Sequence, residues 1–242
     1  MRSPLTPNNQ LSYESGSDGS SAGRLLRRVM VVILSLISTL LPLSAGAAHA
    51  APSVAQQKST TPQFDRVSLT ALLALDEINN GVTRVDRPPV LSAKYVALRD
   101  EIAGLVASRL WISRDDLSDA WARADTDHQI ALLAAFSQLG VPYKKFAMKP
   151  GVALDCSGLT SFAWGEAGFF IEHNSYRQIK DSEPRTIWSA QAGDLVRYPG
   201  HVMMWLGAGL AVIHAPEAGR FVEVKIMGSS SLRRSTFGDP SE

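Results

Sequence analysis

The residue with the clearest chemical potential is Cys156, the only cysteine among 242 residues. It stands in the polar stretch Asp155-Cys156-Ser157-Gly158, directly before an apolar, helix-like run over residues 159–167. A thiol at a helix N-terminus faces the positive end of the helix dipole, which lowers the thiol pKa and favours the nucleophilic thiolate. The alternative from this context is a buried small hydrophobic residue, the usual role of a free cysteine.

A cysteine nucleophile needs a base, and the chain beyond residue 50 offers four histidines: His128, His173, His201 and His214. His201 and His214 belong to a predicted hairpin with strands over 202–206 and 211–215. A two-residue loop at Gly207-Ala208 places the two histidines directly opposite each other on one face of the sheet. A four-residue loop is expected to give the same register, whereas a three-residue loop shifts the pairing by one residue and weakens the case.

Cys156, His201 and His214 therefore form a candidate Cys-His-His set. In this interpretation His201 takes the proton of the thiol, and His214 orients and polarises His201. Three alternatives stay open at this point. His214 is a locally hydrogen-bonded strand residue, His201 is a turn residue after Pro199-Gly200, or the three side chains bind zinc, although no carboxylate with clear ligand spacing joins them.

The elements that must position these residues follow from periodicity. Helices are predicted over 69–80, 91–110, 128–139 and 159–167, with a short helix near 175–180. A further helix is predicted to begin after Ser113, which is its N-cap. Strands are predicted over 194–198, 202–206, 211–215 and 221–227. Helices followed by adjacent short strands predict an α+β fold with an antiparallel sheet.

The amino terminus has the parts of a secretory signal peptide. A basic segment with Arg24, Arg27 and Arg28 precedes an apolar run over 29–43, and Ala48-His49-Ala50 is typical of a cleavage site. Cleavage after residue 50 leaves no second run long enough to span a membrane, so we expect a secreted or cell-wall-associated protein without stable membrane insertion. The alternative is an uncleaved signal anchor.

Charge and cysteine usage exclude several classes. There are 24 Lys and Arg against 23 Asp and Glu, a formal net charge of +1, so no basic excess supports nucleic-acid binding. A single cysteine excludes an intramolecular disulfide framework and a Cys-rich zinc module.

Five stretches occur in the order typical of one family: Gly140-Val-Pro-Tyr143, Asp155-Cys-Ser-Gly-Leu159, Gly193-Asp-Leu-Val196, Gly200-His-Val202 and Val212-Ile-His-Ala-Pro216. Over roughly residues 127–228 the chain resembles the NlpC and p60 family of cell-wall cysteine peptidases. The resemblance implies a reduced papain-like fold, in which a Cys-bearing helix packs on a small antiparallel sheet. It also implies hydrolysis of peptidoglycan stem peptides, usually at the bond between γ-linked D-glutamate (or D-isoglutamine) and a diamino acid.

The same resemblance implies roles for individual residues. Cys156 would be the nucleophile, His201 the base and His214 the third member. The implied substrate-binding residues are Tyr143, Asp155, Ser157 and Ser175, and Ser175 belongs with Gln178 to a Ser-x-x-Gln pattern. No cofactor or metal is implied, and the expected partner is the peptidoglycan stem peptide. A regulatory or targeting protein cannot be named from the sequence.

The implied organisation is a signal peptide over 1–50, a linker over 51–65, a helical segment over 66–125, an NlpC-type peptidase domain over 126–230 and a polar tail over 231–242. The helical segment has no family signature, and it either supports the peptidase domain or covers its cleft. An amidase or acyltransferase on the same fold, and a catalytically silent wall-binding or regulatory module, are the alternatives for function.

Three departures from the family pattern bear on substrate choice. Lys144-Lys145-Phe146 stands where the family often has Trp-Gly-Gly, and His173 stands where an Arg is common. Met203-Met204-Trp205 follows Val202, where family members often have glycine.

Overall fold

A computed structural model describes residues 61–81 and 91–242. The predicted signal peptide and residues 51–60 of the predicted linker lie outside the described residues. The helices are α1 (Arg66–Gly81), α2 (Ala93–Leu110), α3 (Arg114–Arg123), α4 (Thr126–Phe136), α5 (Cys156–Glu166), α6 (Ser175–Lys180) and α7 (Ser229–Leu232). The strands are β1 (Met148–Lys149), β2 (Ala153–Leu154), β3 (Glu183–Arg185), β4 (Leu195–Tyr198), β5 (His201–Trp205), β6 (Ala211–His214), β7 (Glu223–Ile226) and β8 (Thr236–Asp239). None of these helices has the length and apolar character that crossing a membrane requires.

Two helix starts follow directly from serine caps. The side chain of Ser92 accepts a hydrogen bond from the backbone N–H of Tyr95 and opens α2. Ser113 accepts from the N–H of Asp116 and opens α3, which confirms the predicted cap. Each serine satisfies one of the N–H groups that a helix start leaves unpaired.

The helices before the peptidase motifs pack onto the rest of the fold. Helix α1 contacts α2 and α4, and α2 contacts α3. Trp121 of α3 stacks against Phe136 of α4 at 5.2 Å between ring centroids, and its indole N–H donates to the carbonyl of Leu206 at 2.8 Å. One apolar cluster runs from these helices into the sheet, so the two parts share their buried surface.

The main sheet has six antiparallel strands in the order β3-β8-β4-β5-β6-β7, and β1 and β2 form a separate hairpin. Helix α5, which begins at Cys156, packs against β5. The predicted α+β fold, in which a Cys-bearing helix packs on an antiparallel sheet, is thereby confirmed.

The predicted loose polar tail over 231–242 is wrong for its central part. Residues 236–239 form β8, which lies between β3 and β4 and buries Phe237 and Asp239. Residues 236–239 were not predicted as a strand because Phe237 is the only large apolar residue among them, so no alternating pattern is visible. Its position depends on backbone pairing along both of its edges.

The hairpin that carries the two histidines also differs from the prediction. Met204 pairs with Ile213 and Trp205 with Val212, so the loop is four residues, 207–210. The register is shifted by two residues, which keeps His201 and His214 on one face but makes them diagonal neighbours. Left-handed backbone at Gly207, Gly209 and Leu210 permits the longer loop.

Gly140 is expected to tolerate no side chain. Its φ is +82°, and a Cβ there would lie 2.0 Å from the carbonyl oxygen of Gln63, whose N–H donates to the Gly140 carbonyl at 2.9 Å. We expect Gly140→Ala to lower the free energy of unfolding by about 2 kcal/mol or more in chemical denaturation. Gly165 lies on helix α5, and no atom lies within 4 Å of the position that a Cβ would take there. Gly165→Ala is therefore the matched control and should be neutral or stabilising. Equal effects of the two substitutions would contradict the steric argument.

Candidate active site

Cys156 lies at the start of α5, close to the helix start that the sequence predicted. Asp155 caps this helix, because its Oδ1 accepts the backbone N–H of Gly158 at 2.7 Å. The cysteine is half-buried, and the backbone N–H of Val202 on β5 is directed at its sulfur. His201 directly precedes Val202 on β5. The first histidine of the candidate set therefore lies on the strand that contacts the thiol.

The thiol pKa is raised, which corrects the lowered value expected from the helix start. Burial is the main cause, and the negative charge of Asp155 adds to it. The N–H groups of Val202, Ser157 and Cys156 act in the opposite direction without outweighing burial. The resting group is therefore a thiol, which needs a base to become a nucleophile.

His201 and His214 meet at the ends of β5 and β6. The Nε2 of His201 lies 2.8 Å from the Nδ1 of His214, and both side chains are buried. The Nε2 of His214 lies 3.4 Å from Oε1 of Glu223, which is its cross-strand partner on β7. Glu223 also pairs with Arg220.

These contacts determine which ring nitrogens carry protons. An ionised carboxylate only accepts hydrogen bonds, so the Nε2 of His214 carries a proton towards Glu223. The Nδ1 of a neutral His214 is then an acceptor, and the Nε2 of His201 donates to it. This leaves the Nδ1 of His201 unprotonated, and within residues 61–81 and 91–242 it has no hydrogen-bond partner. It is the nitrogen that can accept a proton.

Burial keeps the two histidines neutral. It lowers the pKa of His201 to about 4, and the positive charge of Lys225 acts in the same direction. It also lowers the pKa of His214, with further contributions from His201, Lys225 and Arg220. At neutral pH both rings are therefore in the form that can pass a proton along the pair.

Asp155 and Ser157 are held mainly by each other and by their neighbours. Oδ1 of Asp155 also accepts from the hydroxyl of Ser157 at 3.2 Å and from Nε2 of His173 at 2.7 Å, and Oδ2 accepts the N–H of Phe146 at 2.8 Å. Asp155 therefore acts as the N-cap of α5. The substrate-binding roles of both residues stay predictions.

Tyr143 lies close enough to Cys156 for a charge on the sulfur to affect the pKa of the phenol. It is half-buried, and its pKa is raised by burial together with the negative charges of Cys156 and Asp155. The phenol hydroxyl therefore stays protonated and can donate a hydrogen bond next to the thiol.

Ser175 is the first residue of α6, and the helix is capped by Asn174, whose Oδ1 accepts from the N–H groups of Tyr176 and Arg177. No contact of Ser175 with Cys156 or the histidines is seen in the described part of the chain. Gln178 has the clearer structural role. Its amide N–H groups donate to the Ser157 carbonyl, the Ser161 hydroxyl and the Glu172 carbonyl, which ties α6 to the helix of Cys156.

A third buried histidine lies outside this site. Among the described residues, one group of metal-ligand type converges: His128, Asp194 and Asp239. The Nε2 of His128 is 2.9 Å from Asp194 and 3.4 Å from Asp239, and Asp239 also accepts from Arg185. Burial lowers the pKa of His128, but the bond to Asp194 and the charge of Asp239 outweigh it and raise the pKa overall. These contacts join α4 to β8 and to the residue that directly precedes β4.

Sequence reasoning missed Glu223 and the contact between His173 and Asp155. Glu223 carries no motif of its own, and only the pairing of β6 with β7 places it opposite His214. His173 departs from the family pattern, and that departure is the signal available in the sequence.

The lowered pKa values of His201 and His214 predict an acid-sensitive fold. In the unfolded chain a histidine titrates near pH 6.5, whereas the folded pKa of His201 is about 4. Stability from this difference is full above pH 6.5 and is lost as the pH falls towards 4. For His201 alone we expect a loss of about 2 kcal/mol between pH 7 and pH 5, measured by denaturant unfolding. The His201→Gln variant should lose correspondingly less over the same interval, and an unchanged pH dependence would contradict the pKa assignment.

Comparison with known proteins identifies a family domain in the part of the chain that contains this site. Residues 140–239 match the sequence model of the NlpC/P60 family. These residues are an NlpC/P60 domain. The match contains Cys156, His201 and His214 and continues through β8, past the predicted domain end at residue 230.

Relatives of the NlpC/P60 domain include named peptidases. A stretch of 97 residues is 40% identical to a probable endopeptidase of Corynebacterium glutamicum and covers 39% of this chain and 46% of that protein. A stretch of 110 residues is 32% identical to a probable endopeptidase of Mycobacterium tuberculosis and covers 44% of this chain and 28% of that protein. An NlpC/P60 family protein from Bacillus cereus is similar in structure, with a TM-score of 0.44 and 24% identity over 47% of this chain and 40% of that one. The chain spans less than half the length of these curated relatives.

Proposed function

We propose that this protein is a peptidoglycan hydrolase that cleaves an amide bond of the stem peptide by cysteine catalysis. The observation that carries the proposal is that the Cys156 thiol contacts the backbone of Val202, the residue that directly follows His201, and that His201 begins the hydrogen-bonded series His201–His214–Glu223. The expected bond is the one between γ-linked D-glutamate and a diamino acid. The curated relatives named as probable endopeptidases support a peptide bond as the target.

In the proposed mechanism the Nδ1 of His201 takes the proton of the Cys156 thiol. The sulfur attacks the amide carbonyl, a C–S bond forms and the carbonyl oxygen becomes an oxyanion. The backbone N–H of Cys156 at the helix start is positioned to donate to that oxygen. Protonated His201 then gives its proton to the departing amine as the C–N bond breaks, and water releases the acyl group from the sulfur.

His214 and Glu223 act on the base rather than on the substrate in this proposal. Their hydrogen bonds hold the tautomer of His201 in which Nδ1 is free, and they stabilise the positive charge that His201 carries after proton transfer. Tyr143 donates from beside the thiol. The backbone around Asp155 and Ser157, together with Ser175, would bind the peptide.

We further propose that residues 1–50 direct export, that 51–65 is a linker, and that the mature protein is secreted or associated with the cell wall. The helical segment over 66–125 is proposed to support the peptidase domain over 126–230. This role is supported by contacts at the loop between β5 and β6, where Trp121 bonds to Leu206 and a Cβ on Gly209 would meet Ile112 at 3.0 Å. Because the segment packs against the hairpin that carries both histidines, a structural role is favoured over a cover that leaves the cleft.

The test is digestion of purified, defined stem peptides, read by mass spectrometry. Because Cys156 is the only cysteine, alkylation with iodoacetamide modifies one thiol and provides the control. We expect one amide bond to be cleaved and cleavage to stop after alkylation. Cleavage that survives alkylation would refute cysteine catalysis. Transfer of the acyl group to an added amine in place of hydrolysis would favour an acyltransferase.

A further inference from the structure

The hairpin of β1 and β2 presents a cationic and apolar surface beside the nucleophile. Residues 144–152 include Lys144, Lys145 and Lys149 and no acidic residue, although the whole chain has a net charge of only +1. The three lysines are exposed, and none has a carboxylate at ion-pair distance within the described ranges 61–81 and 91–242. Unpaired charge of one sign, concentrated on one short segment, attracts a ligand of the opposite sign.

The hairpin is attached directly to the start of the Cys156 helix. The N–H of Asp155 donates to the carbonyl of Ala147 at 2.9 Å, and the N–H of Phe146 donates to Oδ2 of Asp155 at 2.8 Å. The Ala147 carbonyl approaches Gly158 so closely that a Cβ there would lie 2.2 Å from it. At its other end, the N–H of Gly151 donates to the side chain of Gln138 at 2.7 Å. The surface therefore has a fixed position relative to the thiol.

The aromatic residue of this surface is held outwards in an unfavourable backbone conformation. Phe146 has a φ of +61°, in the left-handed region that bulky residues rarely adopt, and its side chain is 81% exposed. Lys145 lies over its ring, with Nζ 4.9 Å from the centroid. Met148 and Val152 of the same hairpin are also exposed. Exposed apolar side chains and local strain together are typical of a binding site.

We propose that the 144–152 hairpin binds a carboxylate of the stem peptide and thereby selects substrates whose carboxyl groups are free. This inference rests on the proposed function. A stem peptide with γ-linked D-glutamate carries its α-carboxylate next to the scissile bond, and a diamino acid with a second carboxyl group carries another on the opposite side. Lysine ammonium groups bind such carboxylates with charge-assisted hydrogen bonds, and Phe146 covers the adjacent methylene groups. Amidation of the carboxyl group removes the charge that the lysines recognise.

The experiment compares four synthetic tetrapeptides, L-Ala–γ-D-Glu–diaminopimelate–D-Ala, all with the C-terminal D-Ala carboxyl group amidated. The α-carboxyl group of D-Glu and the side-chain carboxyl group of diaminopimelate are both free in the first, amidated singly in the second and third, and both amidated in the fourth. The variant is Lys144→Gln/Lys145→Gln/Lys149→Gln in the full chain. For the peptide with both carboxyl groups free, we expect the KM of the lysine variant to be about tenfold higher than that of the wild type. Its kcat should change less than about twofold. For the peptide amidated at the recognised carboxyl group, the variant and the wild type should have the same KM. The singly amidated peptides show which carboxylate is bound.

A charge-matched control removes three other exposed cations: Arg123→Gln/Lys180→Gln/Arg233→Gln. This variant should keep the wild-type KM, because the effect arises from the hairpin and not from the net charge. An unchanged KM in the lysine variant, or the same increase with the doubly amidated peptide, would overturn the hairpin inference while leaving the peptidase intact.

A binding measurement distinguishes failure of the hairpin inference from failure of the proposed function. If the wild type cleaves none of the four peptides, the proposed function fails, and titration calorimetry with Cys156→Ala still tests the hairpin. Preference for the free over the doubly amidated peptide, lost in the lysine variant, would support the carboxylate site. Equal affinity for both peptides would refute it.

Discussion

Replacing Cys156 by alanine is expected to lower kcat/KM for the stem peptide by about 10⁴-fold or more. The alanine removes the sulfur that forms the acyl-enzyme, and no second cysteine can replace it. Residual turnover would come only from binding and from oxyanion stabilisation by the helix start. Steady-state kinetics with the defined peptide, read by chromatography of the released amine, measures the effect.

Two controls make this result specific. Cys156→Ser retains a side chain of similar size, and it should be almost as inactive because a serine hydroxyl is a much weaker acid than a thiol and yields even less anionic nucleophile. Thermal unfolding of both variants should match that of the wild type within a few degrees, since Cys156 is half-buried and, among the described residues, makes no hydrogen bond with another side chain. Substantial turnover by the folded alanine variant would refute the assignment of the nucleophile.

Replacing His201 by alanine is expected to lower kcat/KM by about 10³- to 10⁴-fold. The reason is specific to this site: burial raises the pKa of Cys156, so the thiol is protonated at neutral pH without a base to accept its proton. The rate of iodoacetamide alkylation at pH 7 should fall together with turnover, because both reactions need the thiolate.

The double variant tests whether the two residues act as a unit. His201→Ala combined with Cys156→Ala should be no less active than Cys156→Ala alone, since a base without a nucleophile contributes nothing. If the losses of the two single variants multiply, His201 has an independent role and the proposed proton transfer is wrong.

The chemistry-bearing residues were visible in the sequence because each belongs to a short local pattern. A polar cap before an apolar run predicted the helix of Cys156, and two short apolar strands around glycines predicted the hairpin of the histidines. Their shared face survived an error in register, because a shift of two residues preserves the side of the sheet on which a side chain lies.

The parts that escaped prediction depend on tertiary contacts. The loop over 207–210 is fixed from outside: a Cβ at Gly207 would lie 2.7 Å from Ala120 of α3, and Trp121 holds the carbonyl of Leu206. These contacts with α3 cannot be inferred from the loop's own sequence, so the register of the hairpin could not be predicted from it. Glu223 likewise became recognisable only through its strand partner, His214.

The thiol pKa was also predicted in the wrong direction, because it depends on burial in the folded protein. The helix start and the N–H groups at the sulfur favour the thiolate, as the sequence indicated, but the depth of burial was not visible in it. Burial of a charge outweighs a helix-end dipole when no cation is adjacent, and the neighbouring imidazole is itself neutral.

The insertion of β8 between β3 and β4 has a consequence for how the protein folds during synthesis. Strand β4 is made about forty residues before β8, and until residue 239 has left the ribosome one edge of β4 has no partner. Pairing across such sequence distances is slow, and an open strand edge can pair with other chains until its own partner arrives. The strand that carries His201 lies on the other side of β4, so the candidate base gains its full support only when translation has passed β8. Late completion of the sheet agrees with the proposed export of the protein and with the proposed hydrolysis of a substrate outside the membrane.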